Sequence, residues 1–150
     1  METIEDISKF HVDYAKKTIK IQGHFSSMMV AKKGKLVTPI VIPIEREKKK
    51  FILEFLKSQT PDWLVYMDEI YYREIRKDKV NTDSFLATYQ HGDMERNFKI
   101  GDEEVKEGLM INTYMNDDFL SVSFEVIKKN GEVVDFGEER KSTERNGYMI

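Results

Sequence analysis

Between Phe119 and Lys128 apolar and polar side chains alternate: Leu120, Val122, Phe124 and Val126 fall on one side, Ser121, Ser123 and Glu125 on the other. A period of two commits this segment to a strand with one face buried. Lys129-Asn130-Gly131-Glu132 follows and leads into a second apolar run ending at Phe136. Asn-Gly between two such runs is the strongest short hairpin signal, because both residues tolerate positive φ. Gly108 to Met115 supplies a third strand, joined to Phe119 through Asn116-Asp117-Asp118. The C-terminal third therefore reads as antiparallel sheet with one face wet or thinly covered.

The N-terminal half adds a second hairpin and two helices. Phe25 to Ala31 and Leu36 to Pro43 flank Lys32-Lys33-Gly34-Lys35, and Pro39 lacks an amide donor, which places its strand at an edge or a bulge. Ile19 and Ile21 alternate briefly ahead of Gly23 and read as the start of β structure. Over residues 3–18, Ile4, Ile7, His11, Tyr14 and Ala15 recur at helical spacing, and Thr3 with Asp6 forms a capping pair. Over residues 45–58, Ile44, Phe51, Ile52, Phe55 and Leu56 are expected on the core side of a second helix, with Arg46, Lys49, Lys50 and Lys57 outward. Pro61 stops that helix, and a strand is expected across residues 62–75. Residues 76–104 are the hardest to parse, with short strands expected at 85–89 and 96–100, and 138–150 read as a frayed polar tail.

These elements assemble into a single α+β domain over 1–150: a mixed or largely antiparallel sheet of about five to seven strands, with two helices on one face. A chain of 150 residues can bury a core without staples. It has no cysteine, which removes disulfides, thiol nucleophiles and iron–sulfur clusters. Its apolar runs, such as Val41-Ile42-Pro43-Ile44, are too short to cross a bilayer, and the acidic start Met1-Glu2-Thr3-Ile4-Glu5-Asp6 is unlike a secretory leader. A cytoplasmic protein without membrane association is the expectation.

Charge is unevenly placed. The net charge is -3, yet residues 16–50 hold ten Lys/Arg against two Glu. A basic segment in an acidic chain steers acidic partners, protein or nucleic acid. Lys32, Lys33 and Lys35 at the hairpin tip, with Lys48, Lys49 and Lys50 on the second helix, are the candidate partner-binding residues. The plainer expectation is that Lys16, Lys17, Lys20 and Lys48 to Lys50 lie on solvated helix faces or ends.

Catalytic signatures are few. Gly34 and Gly131 stand alone in turns, so neither a phosphate loop nor a dinucleotide fingerprint can be built, and no cofactor is expected. Asp68 and Glu69 lie mid-strand and, with His91, are the candidate catalytic residues of a small metal-dependent hydrolase. His24, His91 and Asp93 are the candidate metal ligands, since imidazole with carboxylate suits Zn, Mn or Fe. Neighbouring strand residues face opposite sides, so Asp68 and Glu69 share a pocket only across a bulge. A carboxylate bonded to a neighbouring Lys or Arg, or simply exposed near the strand end, is the plainer account of either residue. Tyr66, Tyr71, Tyr72 and Tyr89, with Phe85 and Trp63, are read as core or interface aromatics rather than a base-stacking platform.

The order of His24-Phe25, the Lys-Lys-Gly-Lys turn, Pro39, Pro43, the 45–57 helix and Pro61-Asp62-Trp63-Leu64-Val65-Tyr66-Met67-Asp68-Glu69 resembles a group of small prokaryotic and phage-borne proteins. These have a hairpin, a helix and a strand with a mid-strand Glu. Gly108–Phe136 and the Gly137-Glu138 pair fit the same layout, over residues 20–138. The resemblance implies the fold and no activity, so it assigns no functional residue; Asp68-Glu69 stands where the layout has one acid. A non-enzymatic accessory protein binding an acidic partner is the leading expectation, with the hydrolase as alternative. A homodimer is expected, formed along the Pro39 edge or on the open sheet face.

Overall fold

The computed structural model describes residues 2–42, 45–73 and 105–143. It contains two helices, α1 (Ile4–Gln22) and α2 (Arg46–Ser58). The strands are β1 (Met28–Lys33), β2 (Leu36–Val41), β3 (Trp63–Arg73), β4 (Val105–Met115), β5 (Asp118–Lys129), β6 (Glu132–Phe136) and β7 (Arg140–Ser142). The expected α+β class holds, and all seven strands join one antiparallel sheet of order β2-β1-β3-β4-β5-β6. β7 pairs with β5 beyond the end of β6. Short strands expected at 85–89 and 96–100 lie outside the described residues.

Local chemistry sets the ends of α1. The Thr3 side chain accepts from the Asp6 amide at 3.1 Å, and Gly23, at φ 79°, closes the helix with its N–H on the Ile19 carbonyl. Ile19 and Ile21, read from sequence as β structure, belong to this helix. Ile19 continues the buried face of Val12 and Ala15 at helical spacing, and that burial outweighs its β propensity. At the β5–β6 turn, Asn130 and Gly131 take φ 55° and 81°, as the Asn-Gly signal requires. Arg140–Ser142, expected within a frayed tail, is held instead by pairing of Ser121 to Ser123 with Ser142 to Arg140.

The helices cover opposite faces of the sheet, which corrects the expectation of one covered face. Ile7, Val12, Ala15 and Ile19 of α1 join Val65, Met67, Leu109, Ile111, Val122 and Phe124 in one core. Leu53 of α2 joins Met29, Leu64, Tyr66, Met110 and Tyr114 in a second. β3 is the reason: Trp63 to Met67 are all buried, odd residues toward α1 and even residues toward α2. A strand apolar on both sides needs cover on both sides. The one-faced pattern that dominates the sequence comes from β5, where Ser121, Ser123 and Glu125 are half-buried on the α2 side.

α2 is also turned relative to its expected orientation. Leu53 is buried, Ile52 and Leu56 are partly buried, and Lys49 and Lys57 lean over the sheet, whereas Phe51 and Phe55 are exposed. Residues two before and two after Leu53 lie about 160° from it around the helix, so both rings point away from the core. The Lys57 ammonium lies 4.4 Å from the centre of the Tyr114 ring.

Candidate functional site

Alternation on β3 puts Tyr66 and Asp68 on its α2 side, two residues apart on one face. The first turns of α2 carry Lys49 over them, and the loop from α1 to β1 brings Ser27 alongside. The Lys49 ammonium donates to Asp68 Oδ2 at 2.7 Å and to Ser27 Oγ at 3.2 Å. Tyr66 Oη donates to the same carboxylate oxygen at 2.6 Å, and Ser27 Oγ donates to Oδ1. The Lys49 and Asp68 side chains are 11% and 13% exposed. Burial, reinforced by the Asp68 charge and by the hydrogen bond to it, pushes the Tyr66 phenol far above its ordinary range. Tyr66 therefore remains a donor. The Asp68 charge is balanced by one ammonium and held by two hydroxyls, an arrangement that ties α2, β3 and the Ser27 loop together.

Glu69 faces the other way. It accepts from the Phe25 amide on the α1 side, so the two adjacent carboxylates diverge as strand geometry demands and do not share a pocket. His24 is exposed beyond the end of α1, with Nδ1 3.2 Å from the Gln22 carbonyl. His91 and Asp93 lie outside the described residues. Among the described residues no three His, Asp or Glu side chains come close enough to hold a metal ion. His11, read from sequence only as part of a helix face, is buried between Phe10 and Trp63, with ring centres 5.1 and 5.3 Å away. Its Nδ1 lies 2.8 Å from the Ile7 carbonyl, and burial lowers its pKa despite that hydrogen bond.

The candidate binding lysines do not form one patch. Lys32, Lys33 and Lys35 sit at the β1–β2 tip, whereas Lys48, Lys49 and Lys50 sit on the first turns of α2, after the opposite end of β2. Lys32 pairs with Glu2 at 3.1 Å and Lys48 with Glu45 at 3.3 Å. Lys33 donates to the Gln59 carbonyl at 2.9 Å, and Lys49 is committed to Asp68. Lys35 and Lys50 are exposed and make no ion pair among the described residues.

Between the two groups runs β2, an edge strand that among the described residues pairs only with β1. Leu36-Val37-Thr38-Pro39-Ile40-Val41 has no charge, and every residue except Ile40 is exposed. The tip is tied to the start of β3: the Gly34 amide donates to Asp62 Oδ2 at 2.9 Å, and the Asp62 amide donates to the Lys32 carbonyl at 2.7 Å. No helix among the described residues is long and apolar enough to cross a membrane. No protein-family model, curated protein or solved structure matches the chain.

Proposed function

We propose that this chain is a non-enzymatic binding protein that takes an extended, acidic segment of a partner protein along the outer edge of β2. The observation that carries the reading is the edge itself: Leu36–Val41 is uncharged and exposed at every position but Ile40, with Lys33 and Lys35 at its start. An open edge offers unpaired N–H and C=O groups, which natural sheets ordinarily protect with charges or proline inside the strand; β2 has no charge, and Pro39 withholds one amide while keeping its carbonyl. Here the lysines stand beside the strand, where they recruit acidic residues without blocking the pairing. Backbone hydrogen bonds then supply affinity and the flanking charges supply preference and encounter rate.

The test uses the full chain and a synthetic peptide with a Val/Thr centre and acidic ends, followed by fluorescence anisotropy. Binding that falls with added salt, and that drops at least about tenfold in Lys33→Glu/Lys35→Glu, supports the reading. Equal affinity for a peptide with lysine ends, or no loss in the double variant, overturns it. Preference for single-stranded nucleic acid over the peptide overturns it in favour of a polyanion site.

A further inference from the structure

We propose that Pro39 selects what the β2 edge accepts: it shuts out a second copy of the chain and admits a foreign segment that bulges by one residue opposite it. The inference rests on the β2 reading and deepens it. Its basis is the phase of the strand. The Ile42 amide donates to the Ser27 carbonyl at 3.0 Å, which continues the β1–β2 register and turns the Ile42 backbone toward β1. Backbone groups alternate sides along a strand, so those of Leu36, Thr38 and Ile40 also point toward β1, and those of Val37, Pro39 and Val41 point out. The two-residue turn at Gly34-Lys35 gives the same phase, because it makes Lys33 and Leu36 a hydrogen-bonded pair.

On this outer side β2 has amide donors at Val37 and Val41, about 13 Å apart, with the Pro39 ring between them. In an unbroken antiparallel ladder, a neighbour's carbonyl is aimed where each amide hydrogen lies. At Pro39 the ring's Cδ fills that place, so the neighbour loses a hydrogen bond and its carbonyl collides with the ring. Pairing with both valines therefore requires an incoming strand to step around Pro39. A bulge, two residues against one, interrupts the ladder at one point and resumes the register on either side. Glycine enters a bulge at the least conformational cost.

A second copy cannot take that route. Its own β2 is held extended by pairing of Leu36, Thr38 and Ile40 with β1, so it has no spare residue to bulge. Two copies laid antiparallel about a two-fold axis at Pro39 pair Val37 with Val41 but set ring against ring. Moving the axis sets Pro39 against a valine, or leaves a single valine pair in the overlap. A free segment, unpaired on its other side, escapes this exclusion. Discrimination of this kind comes from the clash built against the wrong partner as much as from contacts with the right one.

Two peptides test the proposal by fluorescence anisotropy: the acidic-ended Val/Thr segment, and the same segment with one glycine inserted at its centre. The native chain should bind the inserted form at least about tenfold tighter. Pro39 is exposed, so Pro39→Val should keep the fold, and its new amide should reverse that order. The same variant should associate with itself. In sedimentation equilibrium at up to about 0.5 mM, its average mass should rise from 17.7 kDa toward twice that value, whereas that of the native chain should not. Equal affinity of the native chain for the two peptides, or an unchanged preference in Pro39→Val, overturns the role of Pro39 and leaves the edge reading intact. No binding of either peptide to either protein overturns both. A Pro39→Val chain that stays monomeric overturns the exclusion of a second copy.

Discussion

The Lys49 ammonium sits 2.7 Å from Asp68 Oδ2, and both side chains are nearly closed to water. In a helix whose sequence pattern places lysines outward, this contact fixes the rotation of α2: with Lys49 over β3, Leu53 turns inward and Phe51 and Phe55 turn out. The ion pair therefore bears on which face of the helix is turned to solvent.

Removing one member of a buried pair leaves the other charge uncompensated, which costs about 3–5 kcal/mol. Lys49→Met should accordingly lower the unfolding free energy by about 3 kcal/mol, the lower end of that range because the pair is not fully sealed from solvent. Adding Asp68→Asn should recover at least half of the loss, since a neutral amide needs no counter-charge and still accepts from Tyr66. Urea unfolding of the single and double variants measures both values. Equal stability of Lys49→Met and the native chain would show that the pair does not hold α2.

Tyr66→Phe removes a hydroxyl that donates to a charged acceptor while keeping the ring in the second core. Hydrogen bonds to charged groups contribute about 1.5–3 kcal/mol. A loss of about 2 kcal/mol is expected from denaturant unfolding, and the same substitution made on top of Asp68→Asn should cost less, because the acceptor is no longer ionised. Equal losses in the two backgrounds would mean the hydroxyl does not act through the Asp68 charge.

His11 gives the chain a pH dependence of definite sign. Its folded pKa lies below the ordinary 6.5 because burial against Trp63 disfavours the imidazolium. Between the folded and unfolded values the unfolded chain binds more protons, so folding loses stability as pH falls. The contribution is complete above pH 6.5 and declines as pH drops through and below that value. His11→Phe, which preserves the aromatic packing, should flatten the fall in melting temperature on acidification relative to the native chain. An unchanged slope in that variant would assign the acid sensitivity to other groups.

Much of the scaffold is legible in the sequence, because it rests on local signals. The period-two pattern of Phe119–Lys128, the Asn130-Gly131 turn, the Gly34 hairpin and the Thr3 cap each declare themselves within a few residues, and each is found. The covered faces are less legible, since β5 displays one buried side whereas β3, with Trp63 to Met67 all buried, needs two. Least readable is the Asp68 cluster. Its lysine, its serine and its tyrosine come from separate elements, and Lys49 belongs to a basic run whose neighbours Lys48 and Lys50 are exposed. A hydrophobic pattern assigns all three lysines to water, and only the acid on the facing strand singles one out. The notable sequence clue was Asp68 itself, a carboxylate amid a buried run that had to find a cation.

The β2 reading makes a demand that can be met by one substitution. Thr38 is exposed near the middle of the edge strand, opposite Ala31 of β1. A charge at such a position is the usual means by which sheets prevent pairing with foreign strands, because docking a neighbour would desolvate it. Thr38→Lys should therefore abolish binding of the acidic-ended peptide, although it adds a positive charge that would strengthen any purely electrostatic attraction. Stability should change by no more than about 0.5 kcal/mol, as expected for an exposed site. The opposite outcome, tighter peptide binding in Thr38→Lys, would mean that charge alone draws the partner and that the strand edge does not pair with it.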